Sequence, residues 1–538
     1  MWSTSLQILR LYTRKKRAIR VYTQALRYVR FAAIMQNTVI GLDLSTTTAK
    51  AIAWSPDGRP VAEGRAPLTL ERPEPNAYEQ HPDAWWRAVQ TALAGVTAQI
   101  PADRVAAIAV VNQRETIAVT DADDRPLRPA ILWLDERRKA EVTALSAKVG
   151  VERMHALTGK PLDFAPAVYS LAWLARAEPD MFARIAHVYD PHAWIVRQLT
   201  GEFATSWASA DPLGAFDIGA HVWAGDVLQA LPLETGKFPT AVAPGTLIGQ
   251  VTPTAAALTG LRAGTPVISG GGDGQAGGLG TGVAKPGTAY LNLGTAVVSG
   301  VYDHAPRIDP AFRTMCAIDR DGYILETSLR SGTLLVNSMI RQVFGLDPDA
   351  DPGIFRRLEQ EAASVRPGSG GLLLLPYWNG VMNPYWDQDA RGCLLGLSPD
   401  HGRGEIYRAL LEGIALEQAF ATNRVAAATG TPVESFVAIG GGSASDPWCR
   451  IMADITARPV IRAETAEASS LGAGIAAAVG IGWYGSFAEA AGAMTRTGTV
   501  FEPDAALADF HAELLSLYAG LYPRLRDLYP RLAALSRR

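Results

Sequence analysis

Thr38-Val39-Ile40-Gly41-Leu42-Asp43-Leu44-Ser45-Thr46-Thr47-Thr48-Ala49-Lys50-Ala51-Ile52-Ala53-Trp54 is the stretch whose reading decides the fold. An apolar β-type run over 38–42 enters a polar, Thr-rich turn, and a second apolar run follows over 51–54. The turn Ser55-Pro56-Asp57-Gly58 leads into a third strand-like stretch over 60–63, completing a β-meander. The same grammar returns late in the chain, as Ala289-Tyr290-Leu291-Asn292-Leu293, the turn Gly294-Thr295-Ala296, and a strand over 297–302. Two copies so far apart predict duplicated domains facing each other, not a short-period solenoid.

Between the copies, helical patterns over 82–99, 140–158, 168–177 and 190–199 alternate with short β runs over 105–111 and 266–269. Beyond the second copy come a long helix over 404–430, a strand over 436–439, and helices over 446–456 and 471–479. A closing helix pair over 505–538 is interrupted by Pro523 and Pro530. Such alternation predicts α/β domains. Gly and Pro cluster at Ala284-Lys285-Pro286-Gly287, which places the expected domain break between 35–286 and 287–538.

The chain's 538 residues leave room for two or three domains, and 48% hydrophobic with 19% charged residues is an ordinary globular balance. A net charge of −3 provides no basic field for nucleic acid. Residues 1–34 carry eight basic residues and no acidic one, so the remainder stands at −11. This acid-free leader reads either as an organellar transit peptide or as a segment outside the native protein, disordered or absent. Met35 immediately precedes the first strand, and the expectation is that the native chain starts there. Cys316, Cys393 and Cys449 fit neither a metal spacing nor a disulfide framework, which points to a reducing cytoplasm. No apolar run reaches the roughly 18–20 residues that span a bilayer.

The turn residues suggest phosphate chemistry. Phosphoryl transfer asks for Mg²⁺, donors on the phosphates, and a carboxylate for the acceptor's proton. Asp43 ends a buried-looking strand and can hold Mg²⁺ through water. Ser45, Thr46 and Thr47 offer hydroxyls and turn N–H groups to phosphate oxygens, and Lys50 adds positive charge. The plain alternative is an Asp capping a turn of β-favouring Thr residues. GGGDGQAGGLG over 270–280 follows a strand and leaves Asp273 sterically open, the candidate general base, against the alternative of a flexible loop. Gly294-Thr295 reads as a second phosphate loop facing the first. Gly440-Gly441-Gly442-Ser443-Ala444-Ser445-Asp446 follows another strand and opens a helix, bringing backbone close to a nucleotide. Neither the P-loop nor the dinucleotide fingerprint is present.

In this order the segments resemble the FGGY carbohydrate kinases from about residue 39 to about residue 503. The carrying motifs are DLSTTTAK at 43–50, NQRET at 112–116, GGGDGQAGGLG at 270–280 and LNLGTA at 291–296. They continue with NPYWDQDARGCLLGL at 383–397, GGGSASDPW at 440–448 and SSLGAGIAAAVG at 469–480. The resemblance implies α/β architecture with two actin-like, ribonuclease-H-like ATPase domains and an active-site cleft between them. It implies ATP and Mg²⁺ as cofactors, with Asp43 and Asp273 at the metal and Asp273 as catalytic base. Ser45, Thr46, Thr47, Lys50, Gly294, Thr295, Gly332, Gly441, Gly442 and Asp446 would line the nucleotide and its phosphates. Gln113, Arg114 and Glu115 would fall on the sugar loop, with Arg114 and Glu115 bracketing two adjacent hydroxyls. Gly274 stands where the family carries an Asn or Gln side chain, so Gln275 is the expected replacement contact.

Within the family, 387–397, 440–456 and Ile131-Leu132-Trp133 look most like xylulokinases, whereas Gln-Arg-Glu-Thr is similar to glycerol kinase. Glycerol kinase's Tyr and Lys would fall at Ala165 and Ser170. The expected function is therefore ATP-dependent phosphorylation of a ketopentose such as D-xylulose. The alternative is a polyol kinase acting on glycerol or a tetritol such as erythritol. An actin- or chaperone-like ATPase is more remote, since it has no use for the Gln113–Glu115 triple or for an open Asp273. The expected partner is the small sugar or polyol, without nucleic acid or membrane, in a homodimer. His81, Trp85, Trp86 and Trp207 read either as sugar contacts or as packing.

Overall fold

A computed structural model describes residues 37–536, so the leader and the Met35 start lie outside the described residues. Two sheets carry the architecture. The first has six strands in the order Leu247–Gln250, Pro266–Gly272, Val105–Asn112, Thr38–Leu44, Thr48–Trp54, Pro60–Pro67. The second has seven, in the order Arg313–Cys316, Tyr323–Leu329, Val297–Asp303, Thr288–Leu293, Ser435–Ile439, Val460–Ala463, Thr497–Phe501. In each, an antiparallel meander is continued by parallel strands: Thr38–Leu44 lies parallel to Val105–Asn112, and Thr288–Leu293 parallel to Ser435–Ile439. This is the two-domain actin-like fold, and its duplication is the one written in the two hairpins.

One face of the first sheet buries Trp85, Val89, Leu93 and Val96 from the helix Pro82–Thr97. The opposite face receives two helices nearly devoid of large side chains, Asp273–Gly280 and Ala468–Gly480. The second comes from late in the chain and crosses back onto the first sheet. Absence of side chains permits the approach. A Cβ on Gly41 would lie 1.8 Å from the Ser470 carbonyl oxygen, and one on Gly472 would lie 2.0 Å from that of Ala276. Ser470 Oγ donates to the Gly41 carbonyl at 2.9 Å and accepts from Trp54 Nε1 at 3.1 Å, closing the seam.

Two expectations are modified and one alternative is removed. The helix expected over 140–158 is two helices, Lys139–Val149 and Val151–Thr158, because Gly150 adopts φ 94° and breaks the hydrogen-bond ladder. The glycine run over 270–280 is not a loop, since Gly270–Gly272 extend the strand and Asp273 opens the helix. At the C-terminus, helix Ala508–Ala519 ends before Gly520. Pro523 and Pro530 then sit inside the first turns of Leu521–Leu525 and Tyr529–Ser536, where an N–H has no intrahelical partner to lose.

Backbone contact across the seam makes a specific prediction. Gly472→Ala should cost about 1–3 kcal/mol of stability by forcing the two helices apart. Gly236→Ala, at a site where an added Cβ meets nothing within 4 Å, should cost much less. Parallel denaturation curves for the two variants check this, and equal midpoints would rule out the tight seam.

Candidate active site

Because three strands of the first sheet run parallel, their C-terminal ends emerge at one edge. Asp43 pairs with Val111, Leu44 with Asn112, and Gly272 with Asn112, which brings Asp43, Gln113 and Asp273 together. In the second sheet Leu293 and Ile439 end side by side in the same way, delivering the turns at Gly294 and Gly440.

Asp43 is buried and its Oδ1 has no hydrogen-bond partner. Burial, reinforced by the charge of Asp273 and opposed by Lys50, pushes its carboxyl up to about 7. Asp273 is the first residue of its helix, and Oδ1 accepts the Gly274 N–H at 2.8 Å. Its side chain keeps 36% of its surface open, yet the enclosing cleft raises it to about 6 against the pull of Arg114. An orphaned buried carboxylate oxygen beside a second, open carboxylate is a donor set suited to a hydrated divalent cation. Among the described residues no group of three or more His, Cys, Asp or Glu side chains stands in metal-binding array.

The Thr-rich turn is held both from within and from outside. Ser45 Oγ donates to the Thr48 carbonyl at 2.9 Å, Trp133 Nε1 donates to Thr46 Oγ1 at 3.0 Å, and Thr47 is exposed. Gln80, which sequence reasoning missed, ties three parts together. It donates to the Thr46 carbonyl at 2.7 Å and accepts from Trp85 Nε1 at 2.9 Å and Gln113 Nε2 at 3.2 Å. Gln113 Oε1 remains buried without a partner. Lys50 is ion-paired with Glu467, which Arg65 also contacts at 2.9 Å.

Arg114 and Glu115 do not pair with each other. Arg114 Nη1 reaches Glu326 at 2.8 Å and its Nε lies 3.3 Å from Asp273 Oδ1. Glu115 accepts from Arg313 Nη1 at 2.7 Å and adopts φ 50°, a left-handed conformation unusual for a side-chain-bearing residue. Arg313, Glu326 and Tyr290 were not anticipated, although a lone charge inside the otherwise uncharged strand Tyr323–Leu329 was a readable signal. Gly274 now has a steric reason: a Cβ there would lie 2.9 Å from Arg114 Cζ. Gln275 is 1% exposed, with Nε2 on the Ala208 carbonyl at 3.0 Å and Oε1 3.4 Å from Arg114 Nη1. Ala165 and Ser170 both serve the buried Arg138, whose Nη2 and Nη1 reach the Ala165 carbonyl and Ser170 Oγ at 2.8 Å each.

On the second side, Thr333 and Gly332 donate backbone N–H groups to Gly294 and Thr295 at 2.8 and 2.9 Å. Gly441 faces open space, whereas a Cβ on Gly442 would strike Trp448 at 2.5 Å. Asp446 opens the helix Asp446–Thr456 and accepts from Arg462 at 2.6 Å. His81 caps the helix Pro82–Thr97, Trp85 is fully buried, and Trp207 stacks on His221 at 3.9 Å while its Nε1 has no hydrogen-bond partner. No helix among the described residues is long and apolar enough to cross a membrane.

Paired actin-like domains with Gly- and Thr-rich turns on both walls and an open carboxylate between them are the arrangement that a phosphotransferase with an alcohol group as acceptor requires. Residues 38–280 match the N-terminal domain, and residues 289–481 the C-terminal domain, of the FGGY family of carbohydrate kinases. The chain is 31% identical over 423 residues to a xylulose kinase of Escherichia coli, covering 78% of this chain and 84% of that one. It is 32% identical to a glycerol kinase of Gloeobacter violaceus, covering 85% and 91%. The crystal structure of xylulose kinase from Rhodospirillum rubrum superimposes with a TM-score of 0.85 at 31% identity, covering 91% and 99%. The chain belongs to the FGGY family of carbohydrate kinases. It is an ATP-dependent sugar kinase.

Asp43 supplies a pH prediction. Its carboxyl is ordinary in the unfolded chain and raised to about 7 in the fold, so the folded state binds the extra proton between those values. Stability therefore falls as pH rises from about 4 to about 7. Asp43→Asn should stabilise the unliganded protein at pH 8 by on the order of 2–4 kcal/mol and change little at pH 4. Unfolding midpoints of both proteins across that range test the sign, and a variant no more stable at pH 8 would refute it.

Proposed function

We propose that this enzyme transfers the γ-phosphate of ATP to a hydroxyl of a ketopentose such as D-xylulose. The observation that carries the reading is Asp273, an open carboxylate at a helix start, raised by its surroundings to about 6 and close enough to the buried Asp43 for their charges to interact. Asp273 takes the acceptor hydroxyl's proton as that oxygen bonds to phosphorus and ADP departs, giving a phosphate ester. Asp43 and Asp273 would hold Mg²⁺, which when bound supplies charge neutralisation on the phosphates. Ser45, Thr46, Thr47, Gly294 and Thr295 line the phosphates. Gly332, Gly441, Gly442 and Asp446 line the rest of the nucleotide. Lys50 acts through Glu467, steadying the Thr-rich turn against the late helix.

Gln113, Arg114, Glu115 and Gln275 form the acceptor wall. Arg114 is paired with Glu326, Arg313 with Glu115 and Glu326, and Arg330 with Asp163, while Arg138 is spent on carbonyls and Ser170. Three of these four cations already hold a carboxylate, and Arg138 keeps only its buried Nε without a partner, which favours a neutral acceptor. The xylulose kinases among the relatives favour a ketopentose. A second reading, a polyol such as glycerol or a tetritol, rests on Arg114-Glu115 and on the glycerol kinase relative. The chain divides near residues 286 and 287, works as a homodimer, and acts in the cytoplasm.

An ATP-consumption panel of ketopentoses, glycerol, tetritols and gluconate separates the readings: xylulose should be the best acceptor and gluconate the poorest. A clear preference for glycerol or a tetritol would replace the ketopentose. Asp273→Asn should lower kcat by ~10²–10⁴ with nucleotide affinity preserved. In the wild type, kcat/KM should fall as pH drops through about 6, because a protonated Asp273 accepts no proton. A variant with more than half of wild-type kcat would remove Asp273 from the role.

A further inference from the structure

We infer that Glu326 and Arg313, on the second sheet, are positioning residues for the sugar: they hold Arg114 and Glu115 of the first half in the orientation the acceptor meets. The inference rests on the sugar-kinase reading of this cleft and adds the device that sets its acceptor wall.

Strand register builds the device. Tyr290 pairs with Gly300, Gly300 with Glu326, and Glu326 with Arg313, so four residues stand in one row across four adjacent strands. Gly300 is what opens the row. A Cβ there would lie 2.5 Å from Tyr290 Cε1, and its absence lets the phenol reach across to donate to Glu326 Oε2 at 2.8 Å. Arg313 Nε donates to Glu326 Oε1 at 2.7 Å from the opposite side.

Both residues then extend beyond their own sheet. Arg114 donates to Glu326 Oε2 at 2.8 Å and to Oε1 at 3.3 Å, while Arg313 Nη1 donates to Glu115 Oε1 at 2.7 Å. Glu326 is 0% exposed, and a carboxylate so buried is tolerated only when its lone pairs are filled. Here two guanidiniums and one phenol fill them, and the two arginines outweigh burial to hold the carboxyl down at about 2. The link is geometric as well as electrostatic. Arg114 is gripped at its Nη atoms by Glu326, which turns its Nε toward Asp273 and lays the guanidinium across Gly274. Glu115, on strained backbone at φ 50°, is drawn to Arg313 and keeps Oε2 for another partner. The strand carrying Arg313 is fastened to the first half along its length: Thr314 N–H donates to the Gly159 carbonyl at 2.9 Å and Cys316 N–H to Asp211 at 2.7 Å. The row is therefore a fixed reference for the acceptor loop.

Two variants test this, each assayed well below its own unfolding temperature on the wild type's best acceptor. Glu326→Gln removes the charge that grips Arg114. Arg313→Lys keeps the charge and loses the fork, so it preserves the buried balance if the first variant folds poorly. Each should lower acceptor kcat/KM by about 10- to 100-fold, mainly through acceptor KM, with the KM for ATP within about twofold. In a crystal structure of Glu326→Gln, the Arg114 guanidinium should leave its place over Gly274. Acceptor kcat/KM within about twofold of wild type in both variants would overturn the inference. So would acceptor and ATP parameters falling together with the folded fraction, which marks a purely structural role, or an unmoved Arg114. If the wild type phosphorylates no sugar or polyol, the functional reading fails, and the position of Arg114 alone decides the inference.

Discussion

Backbone packed directly on backbone, where the helices Asp273–Gly280 and Ala468–Gly480 meet the strand Thr38–Leu44, is the constraint from which the site follows. Polypeptide can approach this closely only where side chains are missing, and Gly41, Gly280 and Gly472 each face a carbonyl oxygen at a distance no Cβ tolerates. The contact fixes the start of the first helix, and with it Asp273, beside the strand that ends in Asp43. It also seats the start of the late helix there, so that Glu467 meets Lys50 and Arg65, and Ser469 Oγ donates to the Asp273 carbonyl at 3.0 Å. A segment more than four hundred residues downstream of the first strand thereby becomes part of the first wall of the cleft.

Charge is handled in opposite ways on the two sides of Asp273. Toward the second sheet, Glu326, Arg313, Arg114 and Glu115 form a chain in which every charge has a counter-charge within hydrogen-bond distance. Toward Asp43, the compensation is incomplete: a buried carboxylate oxygen lacks any partner, and burial raises both acids. A saturated network is rigid and specifies one geometry, whereas an unsatisfied one costs stability until something binds to it. The Glu326–Arg313–Arg114–Glu115 chain is thus held in place by the protein alone, whereas the Asp43 side is left incomplete. Arg114 touches both regimes and links them.

Much of the fold was legible because it depends on short-range grammar. Apolar runs of strand length, an Asp-Gly turn and two hairpins of one pattern predict a duplicated α/β architecture without knowledge of any distant contact. Local rules misled where backbone dihedrals decided the outcome. Gly150 broke a helix whose side-chain pattern ran on through it, and Pro523 and Pro530 proved compatible with helix starts. Glu115 in a left-handed conformation has no sequence signature, since its strain is sustained by Arg313 nearly two hundred residues away.

From sequence alone came the placement of Asp43 and Asp273 at the ends of strands, and the glycines that leave room around them. Short apolar runs and glycine runs are local properties, and parallel strands bring their ends to one edge whatever the rest of the chain does. Tertiary structure alone decided which charges are free. Lys50 is taken by Glu467, Arg114 by Glu326 and Glu115 by Arg313, partners separated by 417, 212 and 198 residues. Ion pairing depends on distance and burial in the folded chain, and no spacing along the sequence encodes either.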